Sequence, residues 1–209
     1  MAYLQPKSTT PRYFGFVPCG GSQRTNIYLV SSSEGNPIYP GDVVVMATDK
    51  HTARRRTGSS STDVGLMIGV AASIVLANEG STAAGINSLS SQNCLIYDDP
   101  DQMYFGTDSS SGVLGVGTHV GKSVGVCSTG VVGSTGVATG TLKRSVMALS
   151  MVTASSQGMF RVLGIHPIDD NFSTAASVAA ASSETRTLMV VPDLHVFSGR
   201  GAGAGHITT

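Results

Sequence analysis

Tryptophan is absent from this chain, cysteine occurs three times, and charged residues fill only 12% of its 209 positions. The scarcity of charge excludes most. Soluble domains average about 25% charged residues, and here 13 Lys and Arg cancel 13 Asp and Glu to a formal net charge of zero. A chain without net charge has no long-range field for gathering nucleic acid, so direct nucleic-acid binding is not expected. With so little charge, the surface must be hydrated by Ser and Thr hydroxyls or hidden in an assembly. Both situations suit extracellular or virion proteins.

Cys19, Cys94 and Cys127 are too dispersed for a disulfide framework and stand in no CxxC or Cys/His spacing that would hold zinc. They read as small buried hydrophobes. No run of eighteen apolar residues occurs. The most apolar window, residues 64–77, is interrupted by Gly65 and Gly69, so no membrane span is expected. The start, from Met1 to Lys7, lacks the basic region and apolar run of a secretion signal. The chain therefore reads as made in a cytoplasm, leaving it only within an assembly.

Catalytic groupings are missing as well. His51, His119, His166, His195 and His206 are scattered, with no HxH or HExxH and only Asp193 close by, beside His195. They read as structural or exposed histidines. Residues 113–117 have a superficial nucleotide-loop look, but no GxxxxGK[ST] or GxGxxG opens a helix there, and Ser134 and Thr135 fit no hydrolase elbow. The expectation is a protein that is not an enzyme and needs no cofactor.

What the chain does hold is glycine, 26 residues of it, among β-branched runs. Extended strands are expected at Arg12–Val17, Thr25–Val30, Val43–Ala47, Cys94–Tyr97, Met103–Phe105, Ser145–Val152, Met159–His166 and Thr187–Val191. Pro18 to Ser22 reads as a turn. Tyr39, Pro40, Gly41 and Asp42 fit a type II turn, with Pro second and Gly third. The run behind it is almost wholly apolar, as in a strand buried on both faces. Ile68, Val70, Ile74 and Val75 favour strand in the 64–77 window, bent near its glycines. In Met159–His166 one face carries Arg161. Glycine density from 112 to 140 rejects helix and suggests short strands and tight turns, Val124–Cys127 among them. The alanine-rich stretch from Val178 could form one or two helical turns.

The fold class that follows is all-β, a β-barrel or β-sandwich of short strands with an extended N-terminal arm and long Gly/Ser-rich loops. Residues 1–12 form the arm, 13–198 the β-rich domain with 112–140 as an insertion or small β subdomain, and 199–209 a flexible Gly/Ala tail.

Two clusters break the uncharged surface. Lys50, His51, Arg54, Arg55 and Arg56 precede a Gly/Ser loop. They read as a solvated hairpin tip, as a contact for an acidic partner, or as a nucleic-acid contact. Asp98, Asp99 and Asp101 surround Pro100 between two strand runs. Three carboxylates could ligate calcium, yet the EF-hand glycine and terminal glutamate are missing, and Asx-turn bonding explains them equally. Asp169, Asp170 and Asn171 repeat that pattern.

Four segments in order, Tyr39 to Val43, Ile68 to Ala72, Tyr97 to Gln102 with the aromatics after it, and Leu163 to Asn171, resemble the capsid decoration (cement or head-auxiliary) proteins of tailed bacteriophages. Together they span about two thirds of the chain. The resemblance implies a β-rich homo-oligomer, a trimer by preference, on the outer surface of an assembled head, with the major capsid protein as partner. The Gly/Val/Ser repeat of 112–140 departs from the smallest members. A tail, neck or fibre component, or a receptor- or glycan-binding β-module, is the alternative, although a chain with six Tyr, six Phe and no Trp is poorly equipped for a sugar platform. The arm, with Pro6, Lys7 and Pro11, the basic residues Arg54, Arg55 and Arg56, and the acids Asp98, Asp99 and Asp101 are the candidate capsid or subunit contacts.

Overall fold

A computed structural model describes residues 15–31, 34, 37–56, 66–75, 92–107, 120–127, 145, 147–153, 158–165 and 187–197. The arm 1–12, the tail 199–209, most of 112–140, the alanine-rich stretch and Asp169–Asn171 lie outside these residues.

Among the described residues eleven strands follow in order: β1 Val17–Pro18, β2 Thr25–Leu29, β3 Val43–Met46, β4 Ala53–Arg55, β5 Met67–Ala71, β6 Asn93–Tyr97, β7 Tyr104–Thr107, β8 Ser123–Cys127, β9 Ala148–Thr153, β10 Phe160–Ile165 and β11 Thr187–Pro192. Among the described residues there is no helix. The fold is all-β, a sandwich of two antiparallel sheets, one ordered β1-β7-β11-β10-β8-β9 and the other β2-β6-β5-β3-β4.

The alternation of side chains along β3 shows how the layers are made. Successive residues of a strand point to opposite faces, and Val43 and Val45 enter one apolar cluster while Val44 enters another. The first cluster is the core between the sheets. It joins Val70 of the five-stranded sheet to Tyr104, Val126, Phe160 and Val190 of the six-stranded one. The second lies on the far face of the five-stranded sheet, around Ile38, Ile68, Cys94 and Ile96. A strand apolar on both sides thus sits where both sides are buried, each such side chain contributing roughly 1.5–3 kcal/mol.

Phe16 stacks on Phe160 with ring centroids 4.6 Å apart, and Tyr104 meets the same ring edge-on at 6.0 Å. The Tyr104 hydroxyl donates to the Tyr97 carbonyl at 3.1 Å, so the largest buried side chain also ties one sheet to the other. The six-stranded sheet curls: a Cβ at Gly106 of β7 would come within 3.3 Å of Leu149 on β9, four strand steps away.

Turn chemistry places the strands. The Asp42 N–H donates to the Tyr39 carbonyl at 2.9 Å and Gly41 has φ of 91°, as the type II turn demands. Within the 64–77 window Met67–Ala71 forms a strand, with a register shift opposite Val44 and Val45. Gly69 is required there, because a Cβ would lie 1.9 Å from the Tyr97 carbonyl oxygen of the neighbouring strand.

One expectation is corrected: Pro18 belongs to β1 rather than to a turn; β1 is an edge strand, where a missing amide proton breaks no ladder. The acidic turn does stand between two strands. β6 lies in one sheet and β7 in the other, so the turn carries the chain across the sandwich.

Candidate functional site

The acidic turn is built around Asp98. Arg24, Asn26 and Tyr28 recur every second residue along and just before β2, so their side chains share a face. All three reach the same carboxylate: Arg24 Nε donates at 3.0 Å, Asn26 Nδ2 at 2.7 Å and the Tyr28 hydroxyl at 2.6 Å. Arg24 Nη2 also donates to the Asp98 carbonyl at 3.1 Å. Burial pushes the Asp98 carboxyl up, but the bonds from Asn26, Tyr28 and Arg24 together outweigh it and hold the group below the usual carboxylate range. For Tyr28, burial and then its bond to Asp98 push the phenol up.

Asp99 and Asp101 behave differently. The Asp101 N–H donates to Asp99 Oδ1 at 2.9 Å, and the Gln102 N–H to the Asp99 carbonyl at 3.1 Å, which is an Asx turn capped by a β-turn. Asp99 Oδ2 accepts from the Ser22 hydroxyl. The Ser22 hydroxyl and the Asp101 N–H lower the Asp99 carboxyl. Buried Gln102 holds the β1–β2 connection from below: its amide group donates to the Gly20 carbonyl and accepts from the Gln23 N–H at 2.9 Å. The Asp98 and Asp99 carboxylates are therefore held by different partners. Among the described residues no three His, Cys, Asp or Glu side chains converge as a metal site requires.

A second buried acid, Asp42, closes the type II turn and ties β4 to the segment before β9. Its Oδ2 accepts from Arg55 Nε at 2.8 Å and the Tyr39 N–H at 2.9 Å, and its Oδ1 accepts from the Ser145 hydroxyl at 2.6 Å. Asp42 is fully buried and the Arg55 side chain is 15% exposed. Glu34 adds a bond from the Arg55 N–H at 2.7 Å. Gly15 lets the chain pass this junction, since a Cβ there would stand 2.5 Å from Ser145 Cβ.

Of the basic run, exposed Lys50 and His51 do lie at a hairpin tip, whereas Arg54, Arg55 and Arg56 do not. The tip of the β3–β4 hairpin is Thr48 to His51, where Asp49 accepts from the N–H groups of His51 and Thr52 and from the Thr52 hydroxyl. Those three bonds, the Thr52 hydroxyl first, lower the Asp49 carboxyl to about 2. Arg54 and Arg55 lie past it in β4, and Arg56 is buried with its N–H on the Val43 carbonyl at 3.0 Å. Alternation of strand side chains and the buried acid at position 42 turn Arg55 inward. Asp98 is likewise engaged by its own chain; of the proposed acidic contacts, Asp101 is exposed and Asp99 half-buried. Pro6, Lys7 and Pro11 lie outside the described residues.

A third acid, Asp193 after β11, accepts from the Ser123 hydroxyl and from Arg161 Nη2 at 2.6 Å. His195 is buried, its Nδ1 accepting from the Phe197 N–H at 3.1 Å, and burial lowers its pKa. Cys94 is buried and free, and burial pushes its thiol up to about 11. The sequence alone disclosed neither the Asp42 junction nor Arg24, Asn26 and Tyr28 as donors to Asp98. Comparison with protein-family models, with curated proteins and with solved structures found no match.

Proposed function

We propose that this chain is a virion structural subunit that binds the outer surface of a tailed-phage capsid and stabilises the assembled head. The observation that carries this reading is the direction of its polar chemistry. Asp42, Asp98 and Asp193 each accept bonds from their own chain and fasten segments distant in sequence, while Ile27, Leu29, Leu95 and Phe197 face outward. Charge is used to brace the sandwich, and the outside is left weakly charged and partly apolar. Such a body suits contact with another protein surface better than it suits catalysis.

The partner is the major capsid protein, engaged by the arm 1–12 and by side chains at the rim of the acidic turn. Binding only the assembled lattice would stabilise it by mass action, by about 2.7 kcal/mol per site at a hundredfold excess over Kd, with repeated copies adding avidity. The test is deletion of residues 1–12, followed by counting copies per purified head. Occupancy should fall and heads should burst at lower temperature; undiminished occupancy would sink the reading.

A further inference from the structure

The five-stranded sheet turns one face to the other sheet, but that cover stops partway. Val43, Val70 and Tyr97 pack beneath it. Side chains alternate along a strand, so Leu95, two residues before Tyr97 on β6, points to the same face. Ile27 and Leu29 of β2 do too, since Thr25 stands opposite Tyr97 and Ile27 opposite Leu95. These side chains are open: Ile27 is 67% exposed, Leu29 47% and Leu95 41%. Ala72, two residues past Val70, adjoins them, its N–H on the Leu95 carbonyl at 2.7 Å. Ile74, 40% exposed, borders the patch, for the Leu95 N–H reaches the hydroxyl of Ser73 before it at 2.9 Å. None of these residues is charged. Among the described residues, the patch is the inter-sheet face carried on past its cover.

The chain enters the body at the border of this patch. Phe16 is in the inter-sheet core, and its N–H donates to the Gly41 carbonyl at 3.0 Å; the Gly41 N–H donates in turn to the Ala71 carbonyl at 2.9 Å. Ala71 stands opposite Ile96, and Ile96 opposite Asn26. Along that backbone ladder β6 is three strand spacings from Phe16 and β2 four, roughly 14 and 19 Å. Residues 1–14 precede this entry and lie outside the described residues. Extended, a segment of that length reaches about 46 Å, more than the patch requires. It carries Tyr3, Leu4, Tyr13 and Phe14, and its only charged side chains are Lys7 and Arg12. The other terminus is worse suited. It departs after Phe197, near Met67 at the opposite end of β5, and its residues 199–206 include no large apolar side chain.

We propose that the patch of Ile27, Leu29, Leu95 and Ile74 is the seat of residues 1–14 of the same chain, which cross β5, β6 and β2 from Gly15 and cover what the six-stranded sheet leaves bare. The tether decides between this segment and one from a second copy: a short linker holds its own end over the patch at an effective concentration on the order of millimolar. Aliphatic side chains on the sheet meet the aromatic and aliphatic ones of the segment, and no charge is buried against them. This docking belongs to the free chain and does not rest on the capsid reading; passing the arm to a capsid would uncover the same patch.

Limited proteolysis of the full chain with trypsin tests this, because Lys7 and Arg12 are the cut sites within the segment. Both should be cut more slowly than in a synthetic peptide of residues 1–16. Ile27→Asp and Leu95→Asp change side chains that are exposed, so the circular dichroism of the sheets should hold, while cutting at both sites should quicken by about tenfold as the undocked population rises. A second measurement leaves the patch unaltered. A benzophenone side chain placed at Leu4, or in a separate sample at Thr9, should on irradiation link within one chain to residues 25–29, 72–74 or 93–95. Cutting as fast as in the peptide overturns the proposal, as does a rate that neither substitution changes. Links from both positions that miss the patch, falling on 76–91 or elsewhere, or that join two chains, overturn it as well.

Discussion

Asp42 and Asp98 are both buried acids that fasten segments distant in sequence, yet their arginines are placed differently. Asp42 depends on a cation that is itself inside: the Arg55 side chain is only 15% exposed, against 52% for Arg24 beside Asp98. Each carboxylate also has two neutral donors, Asn26 and Tyr28 at Asp98 and the Tyr39 N–H and Ser145 hydroxyl at Asp42, so the contrast lies in the burial of the arginine. A buried charge whose counter-ion is also buried is strongly coupled to it, while a charge held by neutral donors and capped at the surface tolerates loss of the cap. The difference separates a junction that sets the fold from one that fixes a turn.

Breaking the inner pair should cost most. Arg55→Ala strands the Asp42 carboxylate without its cation, and urea unfolding should report a loss of roughly 3–5 kcal/mol. A loss no larger than that of a surface substitution would erase the contrast. Asp98→Ala should come next, at roughly 1–3 kcal/mol, because Tyr28 and Asn26 lose their acceptor. Its spectroscopic mark is the Tyr28 phenol, whose titration should move back toward the ordinary tyrosine range.

Acid should sharpen the comparison. The folded Asp98 carboxyl lies below its unfolded value of about 3.9, so the unfolded chain binds the proton first. Its stabilisation is complete above about pH 4 and is lost as pH falls through the folded value. Urea midpoints measured across that range should decline toward low pH, and Asp98→Asn should flatten the decline. An equal slope in that variant would show that other acids, such as Asp49 and Asp99, carry it. The smallest effect is expected from Arg24→Ala: its guanidinium is half in water, and Asn26 and Tyr28 still hold the carboxylate. The midpoint should stay close to that of the unaltered protein, far from Arg55→Ala.

Local chemistry made much of this fold readable. Pro40 and Gly41 specify their turn by themselves, and the unbroken apolar run behind it announces a strand buried on both faces. Phe160 and Val162 are buried while Arg161 between them is exposed, as their alternation requires. Partnership was not readable. Asp98 lies 74 residues from Arg24, and Asp42 lies 103 from Ser145; nothing in either local sequence names the other. That is why the Arg54 to Arg56 run read as part of a solvated tip.

The most direct measurement is an image of the purified virion at a resolution sufficient to fit the two-sheet body, with antibody labelling of this chain to assign the density. The capsid reading requires that density on the outer surface of the head, repeated with the lattice. Density confined to the neck, tail or fibres, or label absent from the particle, would contradict it.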